Sequence, residues 1–198
     1  MPPADDIQRY LVGAWRLMSG KRDGLSLLDI SADGFWNSFF AIVVALPPLI
    51  VGWVGAANEL GDDPTATVSR FSYLLRLALI DLGAWVLPLV ALAIAAPFAG
   101  IRDRFVQYVV AINWASAILA WLLLPVALLR LVVSSSSSVF VLVSIGLFSL
   151  SMVLTWRLTN TVIARGPAMG SAVFAGMFAA SIIALLMLES IFGVYSTG

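Results

Sequence analysis

Five long apolar stretches constrain the fold of this chain more than any other feature of its sequence. Each is 18 to 25 residues long with few or no charges, and they cover residues 36–57, 77–99, 105–129, 139–156 and 170–194. Because about 20 apolar residues in a helix span the hydrocarbon core of a bilayer, each stretch predicts one crossing. The predicted fold class is all-α: a polytopic membrane helix bundle of about five transmembrane helices, with an amphipathic interfacial helix at the N-terminus.

The composition leads to the same class. Of the 198 residues, 61% are hydrophobic and 11% are charged, whereas a soluble domain carries about 25% charged residues. The chain has too little polar surface to cover a globule in water, so lipid must solvate most of it. We expect residues 1–34 to form a cytoplasmic amphipathic segment and connector, and residues 35–198 to form one five-helix transmembrane domain.

Several function classes are excluded by what the sequence lacks. The net charge is zero, so no overall field attracts nucleic acid, and no nucleic-acid partner is expected. Histidine and cysteine are both absent, which removes most zinc sites, haem ligation by these residues and thiol chemistry. No P-loop, G-x-S-x-G, H-E-x-x-H or paired-carboxylate pattern occurs. We therefore expect a protein that is not an enzyme, with no catalytic, cofactor-binding or metal-binding residues.

Residues 4–19 have the apolar spacing of an amphipathic helix that is too short and too charged to span a membrane. Its candidate interfacial residues are Tyr10, Trp15 and Arg16, which suit the headgroup plane. A helix packed on the cytoplasmic face of the bundle explains the same pattern, and the sequence leaves both interpretations open. In the connector that follows, Asp33 is the expected cap of the next helix.

Basic residues predict the orientation of the chain. Eight of them fall on one side of the predicted membrane: Arg9, Arg16, Lys21, Arg22, Arg102, Arg104, Arg157 and Arg165. The other side holds Arg70, Arg76 and Arg130. The positive-inside rule then places the N-terminus in the cytoplasm and, after five crossings, the C-terminus in the periplasm. The Ala-rich, Arg-rich composition is typical of a GC-rich bacterial genome, so the expected location is the bacterial inner membrane.

Four charged residues in or near the apolar stretches form a candidate intramembrane polar cluster. Arg76, Asp81, Arg130 and Glu189 all lie toward the outer ends of the predicted helices. One hypothesis is that Asp81 and Glu189 pair with Arg130 and Arg76 across helices, because charges within a membrane seek partners. In the alternative, Arg76, Arg130 and Glu189 reach the headgroups. Asp81, the deepest of the four, is expected to have a buried partner.

An amide and three prolines lie deeper in the predicted helices. Asn113 is expected to hydrogen-bond to a neighbouring helix, with a substrate contact as the alternative. Pro47, Pro48 and Pro88 each remove a backbone hydrogen bond and predict kinks near the middle of the membrane. Such kinks can line a cavity in transporters. The sequence favours static kinks, because no charged residue is expected at the same depth.

A ridge of small residues repeats every four positions on the fifth predicted helix. Its members are Ala172, Gly176, Ala180 and Ala184. Small side chains let two helix backbones approach closely in lipid. A contact inside the monomer is the default interpretation, and homodimerisation is the alternative.

Two short segments resemble the Yip-type family of five-pass membrane proteins. Asp33-Gly34-Phe35-Trp36 is similar to the acidic, aromatic stretch that precedes the first helix in that family, without its Tyr and Pro. Arg104-Phe105-Val106-Gln107-Tyr108 resembles the entry of bacterial members into their third helix. Eukaryotic members interact with Rab GTPases in vesicle traffic. The resemblance implies a non-enzymatic protein of membrane organisation and implies no catalytic residues.

The sequence is therefore compatible with two functions. The first is a non-catalytic integral membrane protein that organises membranes, or serves as a scaffold or accessory subunit, with the lipid bilayer and a membrane-protein partner or a second copy of itself as partners. The second is a small transporter or channel component, suggested by the prolines and the charged cluster. This second function needs a polar path across the bilayer, and the sequence shows few polar groups at mid-depth.

Overall fold

The described part of the protein folds mainly into α-helices. The computed structural model describes residues 1–59, 70–132 and 137–194, and these ranges contain no strand. In chain order the helices are α1 (Ala4–Met18), α2 (Ala32–Ser38), α3 (Ala41–Glu59), α4 (Arg70–Ala95), α5 (Phe105–Val132), α6 (Ser138–Ile163) and α7 (Pro167–Phe192). Two 3-10 turns, Arg22–Leu27 and Arg102–Arg104, precede α2 and α5.

Five segments of the described chain are long and apolar enough to cross a membrane, and they contain α3, α4, α5, α6 and α7. Each has 26 to 31 residues, which exceeds the length of about 20 residues that a bilayer core requires. The all-α class with five long apolar helices is therefore confirmed. A multi-pass membrane protein is the arrangement that fits these helices.

Helix α6 is longer than the apolar pattern predicts. Its apolar stretch ends at Trp156, but the helix continues for almost two more turns to Ile163. The hydroxyl groups of Thr159 and Thr161 donate to the carbonyl groups four residues earlier, at 2.8 and 2.7 Å. Polar side chains that bond to their own helix in this way need no lipid or water partner. The change in hydropathy therefore marks the end of the apolar region and not the end of the helix.

Helix α2 begins with a different cap from the one that the sequence predicts. The hydroxyl oxygen of Ser31 accepts the backbone N–H of Gly34 at 3.1 Å, which makes Ser31 the N-cap. Asp33 lies in the first turn, exposed to solvent. The carboxylate of Asp29 accepts the backbone N–H of Ser31 at 3.0 Å and so helps to hold Ser31 in its capping position. Hydrogen bonds from Ser31 lower the pKa of Asp29.

Helix α1 packs across one end of the bundle, against α5 and α6. Its buried face includes Ala14, Leu17 and Met18, all without exposed surface. The ring of Tyr10 lies 5.3 Å from that of Trp114 on α5, measured between centroids. Helix α1 is therefore packed against one end of the helix bundle. We call this end of the bundle the α1 end and the opposite end the far end.

The five long helices form a ring in the order α3, α5, α6, α7 and α4. Helix α5 packs mainly against α3 and α6, while α7 packs against α6 and α4. Contacts between α3 and α4 close the ring. Helices α4 and α5 face each other with very few contacts, so the middle of the bundle is not filled by direct packing between them.

Candidate functional site

A cavity of about 410 Å³ occupies the centre of the helix ring. All five long helices contribute to its wall. Most of the wall is apolar, with polar groups set among the apolar ones: Asp81, Asn113, Ser116, Thr155 and Ser181. Ligand sites in proteins have this character, with volumes of about 300–1,000 Å³ and a few polar groups that fix orientation. We call this space the first cavity.

Asp81 is the one charged residue among the described residues that line the first cavity. Its carboxylate accepts a hydrogen bond from the indole Nε1 of Trp53 on α3, at 2.6 Å. An indole donates a hydrogen bond but carries no charge. The bond holds the carboxylate in place between α3 and α4 without neutralising it.

Asp81 lies well inside α4. It is about 16 Å along the helix from Arg70 and about 21 Å from Ala95, at 1.5 Å per residue. Asp81 is therefore near the middle of the helix, while its depth in a membrane stays a prediction. A charged residue consequently lies within two turns of Pro88.

Asn113 joins three helices and also lines the first cavity. Its side-chain oxygen accepts the indole Nε1 of Trp85 on α4 at 3.0 Å, and its amide nitrogen donates to the Ser38 hydroxyl on α2 at 2.9 Å. Ser38 in turn donates to the carbonyl of Phe35 at 2.7 Å. Asn113 and Ser38 have no exposed surface. The amide thus bonds to neighbouring helices while its residue remains part of the cavity wall.

The α1 end of the first cavity is formed by a buried pair of hydroxyl groups. The phenol oxygen of Tyr108 on α5 lies 3.5 Å from the Thr159 hydroxyl on α6. Thr159 donates to the carbonyl of Thr155, which also lines the cavity. Tyr108 is 1% exposed, and α1 lies across this end of α5 and α6. The cavity is therefore covered at the α1 end.

A second cavity of about 380 Å³ lies between α3, α4 and α5, toward the far end. It shares Leu49 and Asp81 with the first cavity. Along α5, the walls of the two cavities run from Tyr108 to Arg130, which is about 33 Å at 1.5 Å per residue. This length matches the thickness of a hydrocarbon core, about 30 Å. Asp81 is at the junction of the two spaces.

Prolines border both cavities. Pro88 lines the first cavity together with Ala84, whose carbonyl has lost its helical N–H partner at position 88. Pro48 lines the second cavity, and its missing N–H frees the carbonyl of Val44. The indole Nε1 of Trp121 on α5 donates to that carbonyl at 2.9 Å. Pro47, by contrast, faces outward.

The four residues of the candidate polar cluster do not form the expected pairs among the described hydrogen bonds and ion pairs, although Asp81 and Arg130 line the same second cavity. The guanidinium of Arg76 donates to the backbone carbonyl of Phe192, at the C-terminal end of α7, at 2.8 Å. Arg130 lines the second cavity. Glu189 is partly buried, near the far end of α7. Asp81 has Trp53 as its hydrogen-bond partner instead of the expected arginine.

The ridge of small residues on α7 is divided between two environments. Ala184 is buried and Ala180 is partly buried, whereas Ala172 and Gly176 are exposed. A Cβ atom at Gly176 would meet no atom within 4 Å. Close packing of α7 on α4 depends on a different glycine, since a Cβ at Gly83 would lie 2.5 Å from Leu188 Cδ1.

Two ion pairs join separate segments at the α1 end. Arg16 bonds to both carboxylate oxygens of Asp23, with 3.0 Å from Nε to Oδ1. This pairing raises the pKa of Arg16 and lowers that of Asp23. Arg165 pairs with Asp103 at 2.7 Å. Trp15 remains 50% exposed, as a residue that meets headgroups would be.

Comparisons of the chain with protein-family models, with curated proteins and with solved structures gave no match. The resemblance to the Yip-type family stays a prediction. The two cavities and the residues that line them are the features of this molecule that bear on its function.

Proposed function

We propose that this protein binds a small solute between its membrane helices and acts as a small transporter or channel component. The observation that supports this proposal best is the pair of cavities that meet at Asp81 and follow α5 for the thickness of a bilayer core. Protein interiors are normally close-packed, with few voids larger than a water molecule. Two adjoining open spaces of this size between the helices of one small bundle are therefore a candidate binding path.

The position of Asp81 supports the same proposal. An ionisable residue in the middle of a membrane helix costs about 2.5–3.5 kcal/mol on insertion scales and is a functional-site candidate by default. Asp81 lies near the middle of α4, and its hydrogen-bond partner, Trp53, is neutral. A carboxylate near the middle of a long apolar helix is a group that a solute can use.

Broken helical hydrogen bonding at the cavity walls is the third support. Transporters commonly form their sites near the midplane, where helices are interrupted and free carbonyl groups line the space. Pro88 and Ala84 line the first cavity, and Pro48 lines the second. We propose that these kinks shape the solute path instead of only improving packing.

The proposed setting is the bacterial inner membrane, with the α1 end in the cytoplasm. Eight basic residues lie in segments that the fold brings to the α1 end, against three toward the far end, and this asymmetry favours a cytoplasmic α1 end. The solute would then enter the second cavity from the periplasmic side and meet Tyr108 and α1 at the cytoplasmic end. The proposed function includes no catalytic step.

Cysteine accessibility tests the proposed path, and the chain has no native cysteine to interfere. Ser116 and Ser181 line the first cavity, whereas Ser149 is exposed on the outside of α6, away from it. We expect S116C and S181C to react with small membrane-impermeant thiosulfonate reagents in membranes. S149C, a matched serine near the middle of its helix, should remain unreactive in lipid. Protection of all three cysteines would overturn the proposal.

A second candidate function is that of a membrane-organising scaffold or accessory subunit. The observation that favours it is the exposed part of the α7 ridge, where Ala172 and Gly176 leave room for another helix. The partner would be a membrane protein or a second copy of this chain. This is also the function that a resemblance to the Yip-type family implies, and it is compatible with a solute site in the same molecule.

A further inference from the structure

We infer that the solute of the first cavity is a small organic cation: an ammonium or related group attached to an apolar body. This inference rests on the proposed function, because it names the class of molecule that the proposed site accepts. Three properties of the cavity support it: the charge of its wall, its aromatic residues and its size.

The charge of the cavity wall selects for a cation. Asp81 is the one charged residue among the described lining residues, and its partner Trp53 is a neutral donor. An ionised carboxylate away from water is costly unless a positive group or a proton neutralises it. A cationic ligand would supply that neutralisation, whereas an anionic ligand would place a second negative charge beside the first. The other polar lining groups are hydroxyls and an amide, which are uncharged.

Aromatic residues of the wall favour the same class. Trp85 lines the cavity from α4 and Tyr108 from α5, and Phe174 and Phe178 line it from α7. The faces of aromatic rings attract cations, most strongly when the cation is desolvated, and quaternary ammonium ligands are recognised in this way. A carboxylate together with four aromatic residues offers a cation both a counter-charge and apolar contact.

The volume limits the size of the ligand. A space of about 410 Å³ is near the lower end of the range for small-molecule sites, about 300–1,000 Å³. It therefore suits a molecule of roughly one ring with a substituted ammonium group. The same chemistry occurs in a free organic cation and in the ammonium headgroup of a lipid, so a test has to separate these two sources.

Three probes of similar shape and different charge test the inference. Benzyltrimethylammonium is the cation, its carbon isostere neopentylbenzene is the neutral form, and phenylmethanesulfonate is the anion. Their binding to the purified full-length protein in detergent would be measured by calorimetry, with protein-free micelles subtracted. We expect the cation to bind most tightly. D81N should weaken cation binding by about tenfold or more while leaving binding of the neutral isostere unchanged.

Glu189 supplies the matched control. It is another acidic residue of the long helices, partly buried like Asp81, but it is not among the lining residues of either cavity. E189Q should bind the cation as the unaltered protein does. Competition by phosphatidylethanolamine, but not by phosphatidylglycerol, would identify a lipid headgroup as the source of the ammonium group. Absence of such competition would identify a free cation.

The outcomes separate this inference from the proposed function. Equal binding of all three probes, or cation binding that is unchanged in D81N, would overturn the cation inference and leave a solute site in place. Failure of every probe to bind, together with protection of S116C and S181C from thiosulfonate reagents, would overturn both.

Discussion

Trp121 and Pro48 show how one side chain offsets a break in a membrane helix. Pro48 has no N–H, so the carbonyl of Val44 lacks its partner within α3. The indole of Trp121, on α5, donates to that carbonyl at 2.9 Å. An unsatisfied carbonyl costs more in lipid than in water, because no solvent molecule replaces the missing donor. The hydrogen bond that α3 loses at Pro48 is therefore replaced by a contact between two helices.

Substitutions at Trp121 and Pro48 should therefore have coupled effects on the free energy of unfolding. W121F removes the indole donor, and we expect it to destabilise the bundle by about 0.5–1.5 kcal/mol. In a P48A background, the new N–H at position 48 bonds to Val44, and the cost of W121F should fall toward zero. Unfolding free energies of the four proteins, measured in mixed micelles, give the coupling energy.

Pro47 provides the control for that cycle. Its missing N–H frees the carbonyl of Val43, which is not the carbonyl that Trp121 contacts. P47A and W121F should therefore have additive effects on the unfolding free energy. Additivity in the P48A cycle as well would show that Trp121 stabilises the bundle by packing alone.

At the scale of residues, the sequence predicted little about which side chains meet at the first cavity. The residues that meet at the first cavity come from positions far apart in the chain, such as Asp81, Asn113 and Ser181. Each is a single polar residue within an apolar run, and nothing in one run indicates which others face it. The spacing of Asn113 and Ser116, three residues apart on one helix face, was the available signal. It becomes informative only when the order of helices around the ring is known.

At the scale of elements, the sequence predicted the number and type of the long helices. Apolar length is a direct physical requirement of crossing a bilayer, so five stretches gave five helices. It predicted their ends less well, because hydropathy follows the lipid and a helix follows its own hydrogen bonds. Helix α6 continues past Trp156 through threonines that bond to their own backbone, and α4 ends at Ala95, before its apolar run does.

Helix α7 carries a prediction at this scale. Ala172 and Gly176 are exposed, and the space around Gly176 is open within 4 Å of an added Cβ. If another helix packs there, G176I should separate the two backbones and reduce the amount of dimer or of co-purified partner. Chemical cross-linking in membranes, followed by gel analysis, would measure this reduction.

Gly146 on α6 is the matched control, because it is exposed and an added Cβ there also meets nothing within 4 Å. G146I should leave cross-linking unchanged. Equal cross-linking in the unaltered protein, G176I and G146I would show that the exposed ridge meets only lipid.

At the scale of the whole molecule, folding gathers basic residues at one end. The pair of Arg165 and Asp103 joins the turn before α5 to the turn before α7, at 2.7 Å. Arg157 donates to the carbonyl of Ser19 at 2.7 Å and so ties α6 to the end of α1. Segments distant in sequence thus form one positively charged end. The rule that orients membrane proteins counts lysines and arginines near the membrane, with little contribution from acidic residues, so these pairs do not cancel the expected bias.

The orientation that follows can be tested with two matched serine substitutions. Ser26 is exposed at the α1 end, and Ser138 is exposed at the far end, at the start of α6. With the α1 end in the cytoplasm, S138C should react with an impermeant maleimide in intact cells whose outer membrane is permeable to it. S26C should react only after the inner membrane is opened, because the lipid bilayer excludes a charged reagent. The reverse pattern of reactivity would place the α1 end in the periplasm. The second cavity, with Arg130 in its wall, would then open toward the cytoplasm.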